Sequence, residues 1–336
     1  MGKLVTHDER RRANSESVLG EGEQVNFEQT TQIFRSGFVA IVGKPNVGKS
    51  TLLNAYLGQK VAIVSDKPQT TRVRQLGILT RPDAQVIFVD TPGIHQPLHR
   101  LGQAMVESAT HALGDADVMV FVCDVSELPT DEDRQIAALI HEQAGERPVL
   151  LALNKMDRLP AEKVKQHTEA YWSLLSSEPK LNWDWMMLSA TTGDNLDKLL
   201  DMIVARLPEG PLYYPEDQVT DRTEREVAAD LIREQVLRLT RQEVPHAVAV
   251  VVEQWNERRS GAVHVGAMIY VEKESQKGII IGKGGAMLKK IGAAARQEIA
   301  HLTGARVFLE LWVKVRKEWR AKESDLRELG YVERGE

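Results

Sequence analysis

A single cysteine, Cys123, is all the thiol chemistry in this sequence. It follows the apolar run Val118-Met119-Val120-Phe121-Val122, so a disulfide framework is excluded, a reducing compartment is expected, and the thiol reads as a buried small hydrophobe. No apolar run approaches the roughly 20 residues that a membrane-spanning helix needs, and residues 1–35 lack the apolar core of a signal peptide. The expectation is a cytosolic protein. A large charge excess is also missing: 43 Lys and Arg stand against 48 Asp and Glu, a formal net charge of −5. That balance argues against a nucleic-acid binder over the whole surface and directs attention to local charge. Large apolar residues are scarce in residues 1–35, which read as a disordered arm; its Arg10-Arg11-Arg12 reads as a solvated charge run, with contact to RNA or lipid the alternative.

The 336 residues allow about two domains. The first announces itself at Gly43-Lys44-Pro45-Asn46-Val47-Gly48-Lys49-Ser50, followed by Thr51, which fits the phosphate-binding pattern G-x-x-x-x-G-K-[ST]. An apolar strand, Phe38–Val42, precedes it and a helix, Thr51–Leu57, follows. Its glycines let the backbone curl its N–H groups toward phosphate oxygens, and the helix adds its positive end. Lys49 is then expected to reach the β- and γ-phosphates, and Ser50 to ligate Mg²⁺.

Four further segments fall in order behind it. The polar stretch 65–72 lies where a nucleotide switch places a threonine over Mg²⁺, with Thr71 the first candidate and Thr70 the second. The strand Gln85–Val89 ends in Asp90-Thr91-Pro92-Gly93. Asp90 is placed to hold Mg²⁺ through water, and Gly93 to offer its N–H to the γ-phosphate. A bare D-x-x-G arises by chance about once in a chain of this size, so its position carries the argument. The strand Pro148–Leu153 runs into Asn154-Lys155-Met156-Asp157. Asp157 can accept hydrogen bonds from the ring N–H and exocyclic amine of guanine, which selects GTP over ATP. The strand Trp183–Leu188 ends in Ser189-Ala190, whose backbone N–H groups are candidates for the guanine carbonyl. Alternating strands and helices, including helices near 101–113 and 130–144, predict a doubly wound α/β sheet over 36–208 with its ligand above the strand C-terminal ends.

Residues 209–221, rich in Pro and Gly, read as a linker. Over 222–320 the order changes to α-β-β-α-α-β: a helix at 224–240, strands at 246–253 and 262–271, a helix at 287–302 and a strand at 306–315. A G-x-x-G turn, Gly282-Lys283-Gly284-Gly285, lies between two helices. This is the pattern of a KH-like RNA-binding module, in which the turn clamps the nucleotide backbone. Ile279, Ile280 and Ile281 either floor that site or pack the module's core. From Lys277 to Arg320 there is an excess of seven positive charges, the footprint of a phosphate-backbone partner. The RNA-contacting candidates are Ile281, Gly282, Lys283, Gly284, Gly285, Lys289 and Lys290. Residues 321–336 read as a C-terminal tail.

The phosphate loop, Thr71, D-T-P-G, N-K-M-D and S-A in order, followed by G-K-G-G, resemble the Era family of bacterial GTPases with a C-terminal KH domain. That family lies within the TrmE-Era-EngA-YihA-like GTPase superfamily. The likeness covers roughly 36–320; the long arm departs from it. It implies a P-loop G domain joined to a type II KH domain and a GTPase cycling between GTP and GDP. It also implies binding to the 3′ region of small-subunit ribosomal RNA, action in assembly of the small ribosomal subunit, a monomer, and peripheral contact with the inner membrane. The resemblance further assigns catalytic weight to Lys49, Ser50, Thr71 and Asn46, the last matching an asparagine that helps hold K⁺ in related GTPases. Where Ras-like proteins have a water-orienting glutamine after D-x-x-G, this chain has Ile94, which predicts slow intrinsic hydrolysis; His95 is a weak substitute. Two rivals remain: a GTPase serving an RNA-modification machine, and a membrane-linked regulator meeting anionic lipid through 314–320.

Overall fold

The computed structural model describes residues 33–65, 67, 71–93, 99–176, 181–240 and 244–332. The arm with Arg10-Arg11-Arg12, the candidate Thr70, and Ile94 and His95 lie outside the described residues.

The first part is a six-stranded sheet in the order β2-β3-β1-β4-β5-β6. Its strands are β1 Arg35–Val42, β2 Gln75–Thr80, β3 Ala84–Asp90, β4 Val118–Asp124, β5 Val149–Asn154 and β6 Trp183–Met187. Only β2 runs antiparallel, against β3. Every residue of β3, β4 and β5 is buried, as expected of parallel strands covered on both faces. Helices α1 (Lys49–Leu57) and α5 (Leu196–Val204) cover one face through Leu52, Leu53, Leu199 and Ile203. Helices α2 (Arg100–Asp115), α3 (Asp131–Ala144) and α4 (Val164–Leu175) cover the other through Leu113, Ile136, Ile140 and Tyr171. Cys123 is fully buried there, and burial pushes its thiol well above the usual range.

One strand and one helix of this part carry no clear signal in the sequence. In β2 the run is interrupted by Gly77, where α1 comes so close that a Cβ would lie 2.4 Å from Leu53 Cδ1. In α4 the buried stripe is His167, Thr168, Tyr171 and Leu175, at helical spacing but too polar to register as an apolar face.

The second part is a three-stranded sheet, β7 (Ala249–Glu257), β8 (Val263–Val271) and β9 (Val307–Val315). β7 and β8 are antiparallel, β8 and β9 parallel. Helices α6 (Glu224–Leu239), α7 (Glu274–Ile281) and α8 (Ala286–Thr303) flank it. One core joins Leu231, Ile232 and Val236 of α6, Val265 and Ile269 of β8, Ile280 of α7 and Ile291 of α8. Helix α6 starts at a capping box in which Thr223 and Glu226 bond each other's backbone N–H groups. The strand expected at 246–253 begins later, at Ala249, because Val244–Ala247 is a 3₁₀ turn. The back face of the sheet is covered by Trp319 and by Leu326 of a short helix α9 (Glu323–Glu328) in the tail, together with Leu101 and Met105 of α2.

The residues between the two parts run along the edge strand β2. Ile78 N–H donates to Val219 O at 2.9 Å and Leu76 N–H to Asp221 Oδ1 at 3.1 Å. Tyr213 and Tyr214 N–H groups both donate to Gln85 Oε1.

Candidate nucleotide site and nucleic-acid interface

The β1–α1 loop curls because three of its residues take positive φ: Gly43 at 156°, Asn46 at 65° and Gly48 at 104°. A Cβ at Gly43 would lie 2.3 Å from Val122 O, and one at Gly48 2.3 Å from Asn154 Nδ2. Glycine is therefore required at both ends by close approach as well as by φ. Gly48 is the N-cap of α1 and no side chain caps the helix, so its leading N–H groups and positive end face the loop's interior. Lys49 Nζ reaches back to Gly43 O at 2.8 Å and Lys44 O at 2.9 Å, bracing the curl. Lys44 is anchored away from it, on Asp133 at 2.9 Å.

At the far side of the loop, Asp90 Oδ2 accepts from Ser50 Oγ at 3.1 Å, Thr71 Oγ1 at 3.2 Å and Gln75 Nε2 at 3.1 Å. Among the described residues no hydrogen-bond donor meets Asp90 Oδ1, which is buried. Burial pushes the Asp90 carboxyl up, against the pull of Lys49 and its donors; burial also pushes the Lys49 ammonium down to about 8, against Asp90. An anion beside Lys49 and a cation beside Asp90 would relieve both. Two hydroxyls and a carboxylate with one unused oxygen are the donor set a hard divalent cation takes.

Lys49, Ser50 and Thr71 open on a cavity of about 530 Å³ lined also by Pro45, Asn46, Gly93, Asn154, Lys155, Arg158 and Thr191, a size suited to a nucleotide; Asp90 stands behind them. Gly93 lies against Pro45, a Cβ there meeting its ring at 3.0 Å. Val47 and Thr91 stand behind the wall: Val47 is fully buried, and Thr91 Oγ1 donates to Ile41 O at 2.8 Å. Asn154 ties the loops together, donating to Val47 O at 2.7 Å and accepting from Ala190 N–H at 2.9 Å. Lys155, at φ 65°, pairs with Asp124 Oδ2 at 2.5 Å. Asp157 stands on the turn Met156–Arg158, between two lining residues.

The N–H groups of Ser189 and Ala190 donate to Asp194 O and Asn154 Oδ1. Thr191, next in the chain, lines the cavity. Arg158, Ile63, Val64 and Ser65 also line it. No motif pattern includes them.

In the second part Gly282, Gly284 and Gly285 have φ of 71°, 61° and 79°. A Cβ at Gly282 would lie 2.9 Å from Met287 N. Lys283, Lys289 and Lys290 are exposed and Ile281 is half-buried. Beside the turn, a groove of about 450 Å³ runs between α8 and β9, lined by Gly285, Leu288, Lys289, Gly292, Arg296 and Leu311. Ile280 packs into the core and Ile279 points outward at 45% exposure, so the groove's apolar floor is Leu288, Leu309 and Leu311 rather than the isoleucine run. Gly285, Lys289, Gly292 and Arg296 recur at helical spacing, a signal in the sequence that the basic count alone does not isolate. Lys290 is not among the lining residues.

A family model described as 50S ribosome-binding GTPase matches residues 38–155, and one described as KH domain matches residues 243–320. GTPase Era of Heliobacterium modesticaldum is 48% identical over 303 residues, covering 90% of this chain and 99% of that protein. The chain belongs to the Era family of GTPases. Two solved Era structures share the whole arrangement. Era bound to MgGDPNP and nucleotides 1506–1542 of 16S ribosomal RNA superposes with a TM-score of 0.83 at 42% identity, covering 89% of this chain and 99% of that one. An Aquifex aeolicus Era variant bound to GDP·AlF4⁻ gives 0.82 at 41%, covering 89% and 100%. The P-loop G domain and the C-terminal KH domain of the Era fold are thus both present.

In this Era-family chain both segments that flank the phosphate end of the cavity also touch the KH domain. Arg72, next to Thr71, donates to Val248 O at 2.6 Å. Leu101 and Met105 of α2, which follows Gly93, pack on Tyr270 and Trp319. Lys60, after α1, pairs with Glu234 of α6 at 2.7 Å and Glu298 of α8 at 3.1 Å.

Proposed function

We propose that this Era-family GTPase uses GTP to control a KH domain that holds the 3′ region of small-subunit ribosomal RNA, and that it serves assembly of the small ribosomal subunit. The observation that carries the reading is the pair Thr71-Arg72. One residue closes on Ser50 and Asp90, the next is locked into the KH domain. A change at the γ-phosphate end therefore acts on the RNA-binding module with no intervening flexible segment. The groove chemistry, the local positive excess and the Era relative that carries 16S RNA support the RNA partner. The broader family description names the 50S particle; a relative matched over nine-tenths of the chain is the narrower guide.

In this reading the G domain occupies 36–208, the linker 209–221 and the KH domain 222–320. Backbone N–H groups from Gly43 to Thr51 hold the phosphates and Lys49 neutralises the β- and γ-oxygens. Ser50, Thr71 and, through water, Asp90 hold Mg²⁺, which supplies charge to the phosphate oxygens when bound. Asp157 and Asn154, with Lys155 alongside, read guanine, and Asn46 helps hold K⁺. The position after Gly93 offers no glutamine, so intrinsic turnover is slow. Lys283, Lys289 and Lys290 meet RNA phosphates beside Gly282, Gly284 and Gly285. The proposed place of action is the cytoplasm, as a monomer.

Crosslinking the full chain to cellular RNA with a non-hydrolysable GTP analogue and with GDP tests this. Enrichment of the 3′ end of small-subunit RNA with the analogue is expected. Equal recovery in both states, or nuclease-insensitive retention on anionic vesicles alone, would reject it.

A further inference from the structure

The carboxylate of Asp90 is held by a residue that no nucleotide-binding motif contains. Gln75 opens β2 and faces Asp90 directly across the antiparallel ladder. Cross-strand partners share one face of the sheet, and Gln75 Nε2 lies 3.1 Å from Asp90 Oδ2. With Ser50 and Thr71 on that same oxygen, three donors crowd Oδ2 while Oδ1, in a fully buried group, meets none among the described residues. This arrangement fixes the carboxylate's rotation and keeps Oδ2 beside the two cavity-lining hydroxyls of Ser50 and Thr71.

Gln75 is fixed in turn. It is 3% exposed, and its Oε1 accepts from Arg222 Nη1 at 3.1 Å. Arg222 also binds Asp230 on α6 and donates to Glu226 O at 3.2 Å. Arg233 closes the set from α6, its Nε and Nη2 at 3.2 and 3.1 Å from Asp230 Oδ1. Asp221 and Val219 accept from β2 backbone N–H groups, which keeps Arg222 in register with Gln75. An unbroken polar path thus runs Asp90–Gln75–Arg222–Asp230, from the phosphate end of the G domain to the first helix of the KH domain.

We infer that Gln75 and Arg222 are positioning residues for Asp90, so that helix α6 of the KH domain sets the orientation of the carboxylate that meets Mg²⁺. The inference rests on the reading of Asp90 as a metal-site residue. It goes beyond that reading in making the metal site a joint product of both domains. Because coupling free energies are reciprocal, Mg²⁺ with nucleotide must also tighten α6.

The test uses the full chain. The release rate of a fluorescent GDP analogue is followed against Mg²⁺ concentration for wild type, Gln75→Leu, Arg222→Met and the double variant. Arg81→Met, which removes an outlying ion pair with Asp201, is the neutral control. Expected is a rise of about tenfold in half-saturating Mg²⁺ for each single variant. GDP affinity in EDTA should stay within twofold, and the double variant should be no worse than either single, since the contacts act in series. Hydrogen exchange of the α6 amides should lose its response to Mg²⁺ and GTP analogue in the same variants. Arg222→Met, at a side chain 16% exposed, is the second variant that keeps the inference testable if Gln75→Leu fails to fold. Unmoved Mg²⁺ midpoints alongside an Asp90→Asn protein that no longer responds to Mg²⁺ would overturn the inference alone. An Asp90→Asn protein that responds normally would overturn the metal-site reading and the inference with it.

Discussion

Arg72 lies with its guanidinium 5.7 Å from the ring centres of both Trp319 and Tyr331, while its Nη1 donates to Val248 O. Trp319 is fully buried, stacks on Tyr331 at 5.5 Å and donates through Nε1 to Ala247 O at 3.0 Å. A residue adjoining the cavity-lining Thr71 is thereby embedded in the KH domain and the tail. Arg72→Met keeps the stem and loses the fork. It should cost about 2 kcal/mol of stability and shrink the difference in RNA affinity between GTP-analogue and GDP states. GTP affinity should stay within about threefold. Filter binding in both states reads this, and an undiminished difference would refute the coupling role.

Lys49→Ala removes the ammonium that reaches back into the curl of the phosphate loop. Charge-assisted hydrogen bonds are worth about 1.5–3 kcal/mol each, so GTP and GDP should bind about 100-fold more weakly by calorimetry. Ser50→Ala should instead lose the Mg²⁺ enhancement of binding while retaining affinity in EDTA.

Asp157→Asn exchanges an acceptor pair for an amide. GTP affinity is expected to fall by about 100-fold and xanthosine triphosphate to become the better ligand. Competition between the two nucleotides measures it, and unchanged preference for GTP would remove Asp157 from base reading.

In the KH groove, geometry and charge separate. Gly282→Ala sets a Cβ against Met287 at a φ of 71°, so it should distort the turn and weaken RNA binding at every salt concentration. Lys283→Ala and Lys289→Ala should each weaken binding mildly and lower the slope of log affinity against log salt by about one. A Lys variant with an unchanged slope would not be meeting a phosphate.

The cation role of Asn46 is checked by comparing hydrolysis in K⁺ and Na⁺ at equal ionic strength. Turnover should be faster in K⁺, and Asn46→Asp should change that ratio. Equal rates in wild type would dispose of it.

Much of the site is written locally. Gly43, Gly48 and Lys49 are legible because one turn of chain builds the curl, the close approach and the reach of the lysine together. Asp90 and Asn154 are legible because each ends a buried apolar strand, and strand ends are where this fold holds its ligand. The turn Gly282–Gly285 reads the same way, since positive φ at three glycines is a property of the segment itself. Strand β2 is hidden because Gly77 serves packing by α1, and α4 is hidden because its buried face carries a histidine and a threonine.

What the amino-acid order by itself determined is local: the positive-φ glycines of both turns, the polar residues that end the buried strands, and the identity of the family. Contacts between residues far apart in the chain were decided only by folding. The donors on Asp90 come from positions 50, 71 and 75, Arg72 finds Val248 176 positions onward, and Arg222 reaches Gln75 from the start of the KH domain. Those pairings use common residue types in patternless stretches, and their meaning arises from the ladder register and the domain junction that bring them within hydrogen-bond distance.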